Sequence, residues 1–465
     1  MRPSLAGAVL IAVAVFSARL EAHAVPEPLD LRGAVRYALE HDPTVLNRRA
    51  TLAQNEATFA RDHAAEFPTL AGTLQNQLAK TNGNNGGSFS QFGLSQAQVF
   101  SQNVAQIGST YNLYTGSSTQ IAAQSAKRQV ESSRNDVRRA EQQLATDVAA
   151  AWFNAVQQRE AVTLAAGDRA YQQQLLDAAR AQERVGRAAG VDVLRAQVNE
   201  LRSEASLTTA RAAELNARET LAQRIGAPPD TPFALPVALA EPPPPVTPLD
   251  TLVASALAAR PDIAAARALV GVARLADAAI ESDRRPQIQL SGAFGNTETP
   301  TTATTAATVI PGFGVIPGTA VNRPGFWSIG ATSTLTVPFV EYGARRAAHR
   351  AARAQLEAAE GTLASTESAV AVDVRQSLRA VRTTNANLAT SREAQRLGAE
   401  SARIAQLQYR NGLISLTDAT AAEQSALSAA NDLVVARVNY LNALVRLRAS
   451  VGIADPVAVV DLGAP

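Results

Sequence analysis

The chain has 465 residues, 46% of them hydrophobic and 18% charged, with a formal net charge of +2. That balance belongs to chains that fold around a core, and basic residues scattered along the whole length leave no stripe for nucleic acid. Cysteine is absent, which removes disulfides, thiolate metal sites, a cysteine nucleophile and a lipid-bearing N-terminal cysteine.

Arg2, the apolar run from Leu5 to Phe16 and Ala22-His23-Ala24 have the layout of a secretory signal, so residues 1–24 are expected to be removed on export. The apolar run is shorter than the ~20 residues a helix needs to cross hydrocarbon. Beyond it the chain repeats itself. Leu39-Glu-His-Asp-Pro43 returns as Leu257-Ala-Ala-Arg-Pro261, and Pro68 returns as Pro286. Gly116, Gly186 and Gly226 return as Gly343, Gly412 and Gly452, 226 or 227 residues on rather than 218, because the second repeat carries a longer loop between its strands. We therefore divide the chain into a first structural repeat (25–228), a proline-rich linker (229–248) around Glu241-Pro-Pro-Pro-Pro245, a second repeat (249–454) and a C-terminal tail (455–465).

Each repeat reads helix, strand, loop, strand, long helix, glycine turn, helix. The spans 31–65 and 191–225 are helical. Strands are predicted at about 68–79, 104–114, 286–297 and 326–339, because apolar and uncharged polar residues alternate there with period two. Leu70, Leu74 and Leu78 share one parity in the first, and Trp327, Ile329, Leu335, Val337 and Phe339 share one in the last. Asn82-Gly-Asn-Asn-Gly-Gly87 and the tract from Thr299 to Gly325 read as flexible loops. The spans 117–184 and 344–410, rich in Ala, Gln, Glu and Arg, read as long helices. Val130, Val137 and Leu144, and later Leu356, Leu363 and Val370, recur at sevens, which implies coiled-coil packing. A helix of this length is about 100 Å long and matches two shorter ones stacked end to end.

His41, His63 and His349 show no paired spacing and read as solvated helix residues. Phosphate loops, metal-binding helices and nucleophile elbows are absent from the sequence, so no catalytic residue, cofactor or metal is expected. Strands apolar on one face and polar but uncharged on the other suit an outer-membrane barrel with a wet lumen. Four strands cannot close, because unpaired backbone groups in hydrocarbon cost several kcal/mol each and a small barrel needs about eight strands. The expected fold is mainly α with a small β part, and a homotrimer would form a 12-strand β-barrel continuous with a 12-helix α-barrel. An exported periplasmic coiled-coil scaffold without a pore is the alternative; it accounts for the helices and leaves the strands unexplained.

Ala38-Leu39 to Pro43, Ala256-Leu257 to Pro261 and Pro338-Phe-Val-Glu-Tyr-Gly343 resemble signature segments of the TolC-like outer-membrane efflux protein family. So do the hairpin tips Val185-Gly-Arg-Ala-Ala-Gly-Val-Asp-Val193 and Asn411-Gly-Leu-Ile-Ser-Leu-Thr-Asp-Ala419. The first repeat, with Asn112-Leu-Tyr-Thr-Gly116, lacks the proline. The resemblance implies an outer-membrane exit duct reaching into the periplasm, in contact with outer-membrane lipid, which exports small molecules or polypeptides within a tripartite efflux or type I secretion complex. It implies docking of a periplasmic adaptor protein, linked to an inner-membrane pump, at Val185, Gly186, Arg187, Asn411, Gly412 and Leu413. It places Asp192 and Asp418 at the periplasmic entrance, where they would tune selectivity, and makes Tyr409 part of a latch. Read by themselves, the two aspartates equally suit helix starts and the tyrosine equally suits packing on the coil. Ile414 stands where one branch of the family has an arginine in the latch, and Ala421 where a second aspartate is common. Arg187 and Arg410 are the nearest substitutes for that arginine.

Overall fold

A computed structural model describes residues 30–83, 96–186, 188–231, 233, 235–236, 241–298, 301–302, 308–310, 314–316, 325–339 and 343–461. The expected signal segment and Arg187 lie outside the described residues. In chain order the elements are α1 (Leu31–His41), α2 (Pro43–Ala64), β1 (Thr69–Gly83), β2 (Gln96–Tyr114), α3 (Ser118–Arg184) and α4 (Gly190–Ile225). The second half gives α5 (Leu249–Ala259), α6 (Pro261–Ser282), β3 (Gln287–Glu298), β4 (Thr301–Thr302), β5 (Thr308–Ile310), β6 (Gly314–Ile316), β7 (Phe326–Thr336), α7 (Ala344–Arg410), α8 (Leu416–Val451) and α9 (Pro456–Val460). The molecule is mainly helical with a small sheet. Two compact units result, one from the described residues up to Arg48 with Arg138–Arg260 and Ala369 onward, the other from Arg49–Val137 and Pro261–Ser368.

The first unit is all helical. Its entry helix breaks where proline forbids an α conformation in the residue before it. Asp42 ends α1 in an extended conformation, and its carboxylate accepts from the Thr44 and Val45 N–H groups at 2.8 and 3.1 Å, capping α2. The helix read over 31–65 is therefore two helices. The core gathers Leu144, Val148, Trp152 and Phe153 of α3, Val35 of α1, Leu221 and Ile225 of α4, and Tyr440, Leu441 and Val445 of α8. Val459 and Val460 of α9 are buried in the same cluster, and Arg32 and Arg448 both bind Asp461. The last residues are thus part of the core as far as Asp461, where a tail was expected. Trp152 is 2% exposed, so Trp152→Ala should cost about 3–5 kcal/mol, read as a lowered midpoint of thermal unfolding.

The linker is tied down. Glu241 pairs with Arg392 of α7 and Arg437 of α8, the Tyr440 hydroxyl donates to the Pro242 carbonyl at 2.6 Å, and Arg159 donates to the carbonyls of Leu235 and Pro236, both at 2.6 Å.

The second unit carries the sheet, in the order β1-β2-β3-β7 with every neighbour antiparallel. Residues directly opposite share a face, and the register sorts the chemistry. One face carries the rows Gly72, Ile107, Phe294, Ile329 and Leu74, Ala105, Asn296, Trp327; the other carries Thr69, Thr110, Ser291, Thr332 and Thr73, Gln106, Gly295, Ser328. The apolar face is bare: Ile329 is 85% exposed and Leu74 86%. Phe294 and Trp327 stack upon it with ring centroids 5.3 Å apart. Among the described residues β1 and β7 each have one neighbour, so both sheet edges are open.

Two departures concern length. β2 begins at Gln96 and β1 continues to Gly83, so Asn82 and Gly83 are strand residues and not part of the loop that their composition predicts. Gln96 to Asn103 is rich in Gln, Ser and Asn and carries no clear alternation; the cross-strand ladder fixes it instead. The tract between β3 and β7 also contains structure, since β4 pairs with Val99 and Phe100 of β2, and β5 with β6. At the other end, a bulge between Asn112 and Tyr114 accompanies the missing proline of the first repeat. Gly116 follows with φ +63°, and a Cβ there would meet the Ser282 carbonyl oxygen at 2.6 Å, so no larger residue fits.

Helices of this unit are laced by ion pairs, Arg267 to Glu367 and Arg274 to Glu360 at 3.1 Å each. His349 corrects an expectation. It lies between Asp277 (2.7 Å) and Glu281 (3.1 Å) on α6, so it is a paired interhelical residue and not a solvated one. His41 likewise stacks on Tyr37 and bonds its carbonyl. Among the described residues no group of three or more His, Asp or Glu is arranged to hold a metal, and no helix is long and apolar enough to cross a membrane.

Candidate functional site

The candidate site is the pair of hairpin tips, α3 to α4 and α7 to α8, both in the all-helical unit. The second tip is built by two local motifs. Leu413 N–H bonds the Gln408 carbonyl and Gly412 N–H the Tyr409 carbonyl, both at 2.9 Å, with Gly412 at φ +75°, which is a Schellman end. Ser415 then starts α8 with a reciprocal capping box: its hydroxyl accepts from Asp418 N–H at 3.2 Å, and the Asp418 carboxylate accepts from the Ser415 N–H and hydroxyl. At the first tip Gly186 has φ +70° and its N–H bonds the Glu183 carbonyl at 2.9 Å. Ala189 caps α4 without a side-chain bond, and Asp192 stands in the first turn, 3.7 Å from Arg195.

The two aspartates therefore differ. Asp418 is exposed but is engaged as a cap, whereas Asp192 is half-buried and does no capping. Loss of the box in Asp418→Ala should cost about 1 kcal/mol of stability, measurable by thermal unfolding, with the hairpin still formed. Val185 (67% exposed) and Leu413 (72%) present apolar side chains at the tips beside exposed Gly186, Asn411 and Gly412.

Tyr409 is 3% exposed and packs among Leu175, Leu176 and Ala179 of α3, Ala196 of α4 and Leu416 and Ala419 of α8. It joins the two hairpins, and Gln182 on α3 donates to its carbonyl at 2.7 Å. Among the described residues its buried hydroxyl has no hydrogen-bond partner. Burial first, and then the Asp192 charge, push its pKa up, which keeps the phenol neutral. The structure thus brings Tyr409 and Asp192 into electrostatic reach without a bond between them. Ile414, at the position of the family's latch arginine, packs against the same cluster, and Arg410 is exposed. Tyr409→Phe removes only the unsatisfied hydroxyl, so stability should hold or rise by up to about 1–3 kcal/mol; a fall on thermal unfolding would show that the hydroxyl holds the tip.

Two features escaped sequence reasoning. One is a polar layer above the Tyr409 cluster, formed by Asp168, Tyr171 and Gln172 on α3 with Glu423 on α8. The other is a stripe on α4, Val191, Leu194, Val198 and Leu201, spaced by three and four and exposed throughout. Leu397, Ile404 and Leu407 form a matching exposed stripe on α7. The α4 spacing is a heptad seam, and it is legible once one asks which apolar heptad positions the chain leaves uncovered.

A family model described as outer membrane efflux protein matches residues 34–227 and 252–453. No curated protein matches the chain in sequence. Among solved structures, the open state of the Neisseria gonorrhoeae MtrE outer membrane channel is 20% identical, covering 91% of this chain and 89% of its own, with TM-score 0.70. The Campylobacter jejuni CmeC outer membrane channel is 16% identical over 91% of this chain and 85% of its own, with TM-score 0.71. The outer membrane protein VceC from Vibrio cholerae is 15% identical over 91% and 96%, with TM-score 0.69. At these identities the likeness is one of fold.

Proposed function

Because the chain belongs to the outer membrane efflux protein family, we propose that three copies close their sheets into one twelve-stranded barrel through which cargo leaves the cell. The chain is an efflux exit duct of the outer membrane. The observation that carries the trimer is the sheet: four long strands in line, one bare apolar face, one uncharged polar face, and, among the described residues, an open edge at β1 and at β7. From Ile288 to Asn296 the apolar face runs about 26 Å along the strand, or about 20 Å across a bilayer at the usual tilt, close to the apolar band of such barrels. Edge-to-edge pairing of β7 with β1 of the next copy satisfies the backbone that lipid cannot. The α4 and α7 stripes support the same reading, since the described residues leave both exposed.

The two tips of each copy form the periplasmic entrance of the duct. Asp192 and Asp418 from three copies place six carboxylates there and favour cations, while the Tyr409 ring clasps the hairpins. Val185, Gly186, Arg187, Asn411, Gly412 and Leu413 dock a periplasmic adaptor, which brings an inner-membrane pump into line; the residues lining this path supply passage and no catalysis. Planar-bilayer recordings test the entrance. Asp192→Ala with Asp418→Ala should lower cation selectivity several-fold, and unchanged selectivity removes both from the pore.

A further inference from the structure

We propose that Glu423, facing Asp168 across the contact between the two helical hairpins, takes up a proton in acid, so that acid tightens the periplasmic entrance and alkali loosens it. This rests on reading the tips as the entrance.

The contact is made by one face of α3 (Asp168, Tyr171, Gln172, Leu175, Leu176, Ala179) against one face of α8 that carries Leu416, Ala419 and Glu423. Toward the tip it is apolar. One turn higher it becomes polar: the Tyr171 hydroxyl donates to the Ala419 carbonyl at 3.5 Å, and the buried Gln172 amide donates to Asp168 Oδ1 at 3.1 Å. Ala419 lies one helical turn from Glu423, and Asp168 one turn from Tyr171, so the two carboxyl groups sit on facing surfaces. The nearest cation in sequence, Arg169, is turned toward α4, where it meets Glu200 at 3.8 Å and Glu204 at 3.6 Å. From α7, Tyr409 packs in the adjoining apolar cluster and the neutral Gln406 bonds Gln174 of α3 at 2.7 Å. Like charge is therefore left opposite like charge in a half-buried layer.

Burial, and then the Asp168 charge, raise the Glu423 carboxyl to about 7. Tyr171 is pushed up to about 12 by burial and then by Glu423 and Asp168, so it remains a neutral donor. A carboxyl raised in the packed state favours packing while it holds its proton. The α3 to α8 contact is strongest below the ordinary carboxylate range, weakens as pH climbs from there to about 7, and stays weak above. In the repeat, Gln197 stands at the position of Glu423 and Ala394 at that of Asp168. The device therefore belongs to one hairpin contact and has no charged counterpart in the other.

The test is trimer conductance in planar bilayers at about pH 5.5 and about pH 8, bracketing the titration. Wild type should open several-fold more often at the higher pH. Glu423→Gln should stay at the acid level at both, and Asp168→Asn should move the midpoint lower. Glu423→Gln with the wild-type pH response overturns the proposal. A second readout is independent of conduction. Spin labels on Gln173→Cys and Gln424→Cys, free of background because the chain has no cysteine, should report a broader inter-hairpin distance at the higher pH in wild type only. Identical distributions at both pH values also overturn it. Labels that respond in a protein that never conducts would sink the duct and leave the Glu423 switch standing.

Discussion

Ile329→Arg should leave the cell with no outer-membrane trimer, while Thr332→Arg, three residues along the same strand, should assemble normally and change conductance. The two positions differ in face. Ile329 lies in the row Gly72, Ile107, Phe294, Ile329 and is 85% exposed; in the proposed trimer that face meets lipid. An arginine near the bilayer midplane costs about 2–4 kcal/mol, and three copies bring about three times that into one barrel. Thr332 lies in the row Thr69, Thr110, Ser291, Thr332, where a cation meets lumen water and its charge repels passing cations. Heat-resistant trimers on a denaturing gel, with single-channel currents, separate the outcomes. Equal assembly of both variants would remove the lipid assignment of the apolar face.

The second large effect is expected on α4. Leu194→Asp together with Leu201→Asp should give a protomer with intact helices that sediments in detergent as a monomer. Each exposed leucine gains about 1.5–3 kcal/mol when fully buried. In the proposed trimer the seam of a neighbouring copy supplies that burial, and a buried unpaired carboxylate reverses the gain. Neither leucine belongs to the buried core of its own chain, so helicity by circular dichroism should stay unchanged. Trimers at wild-type strength would show that α4 faces water.

How much of this was legible in the sequence follows from the range of each interaction. Strand faces are written in the parity of neighbouring residues, so Trp327, Ile329 and Leu335 announced theirs, and the cross-strand register sorts the same residues together. Turn chemistry is local too, and Gly186 and Gly412 both adopt the left-handed conformation that a glycine at a hairpin tip suggests. What was missed depends on partners far along the chain. Gln96 to Asn103 is strand because β1 pairs with it. Val459 and Val460 are core because α8 and α1 offer them a site. His349 reads as a solvated histidine until α6 brings Asp277 and Glu281 against it. Asp168 and Glu423 are ordinary helix residues in sequence, and only the packing of α3 on α8 makes them a pair. Tyr409 was open between latch and packing. Its buried ring favours packing, and the Asp192 charge nearby keeps the entrance in view.

The most direct test of the account is a cysteine scan across the two open edges, one cysteine on β1 and one on β7, in a chain that has none of its own. In native outer membranes the account predicts that, at matching registers, oxidation gives covalent dimers and trimers and that the ladder stops at three. No crosslink at any register, or a ladder that runs past three, would contradict it.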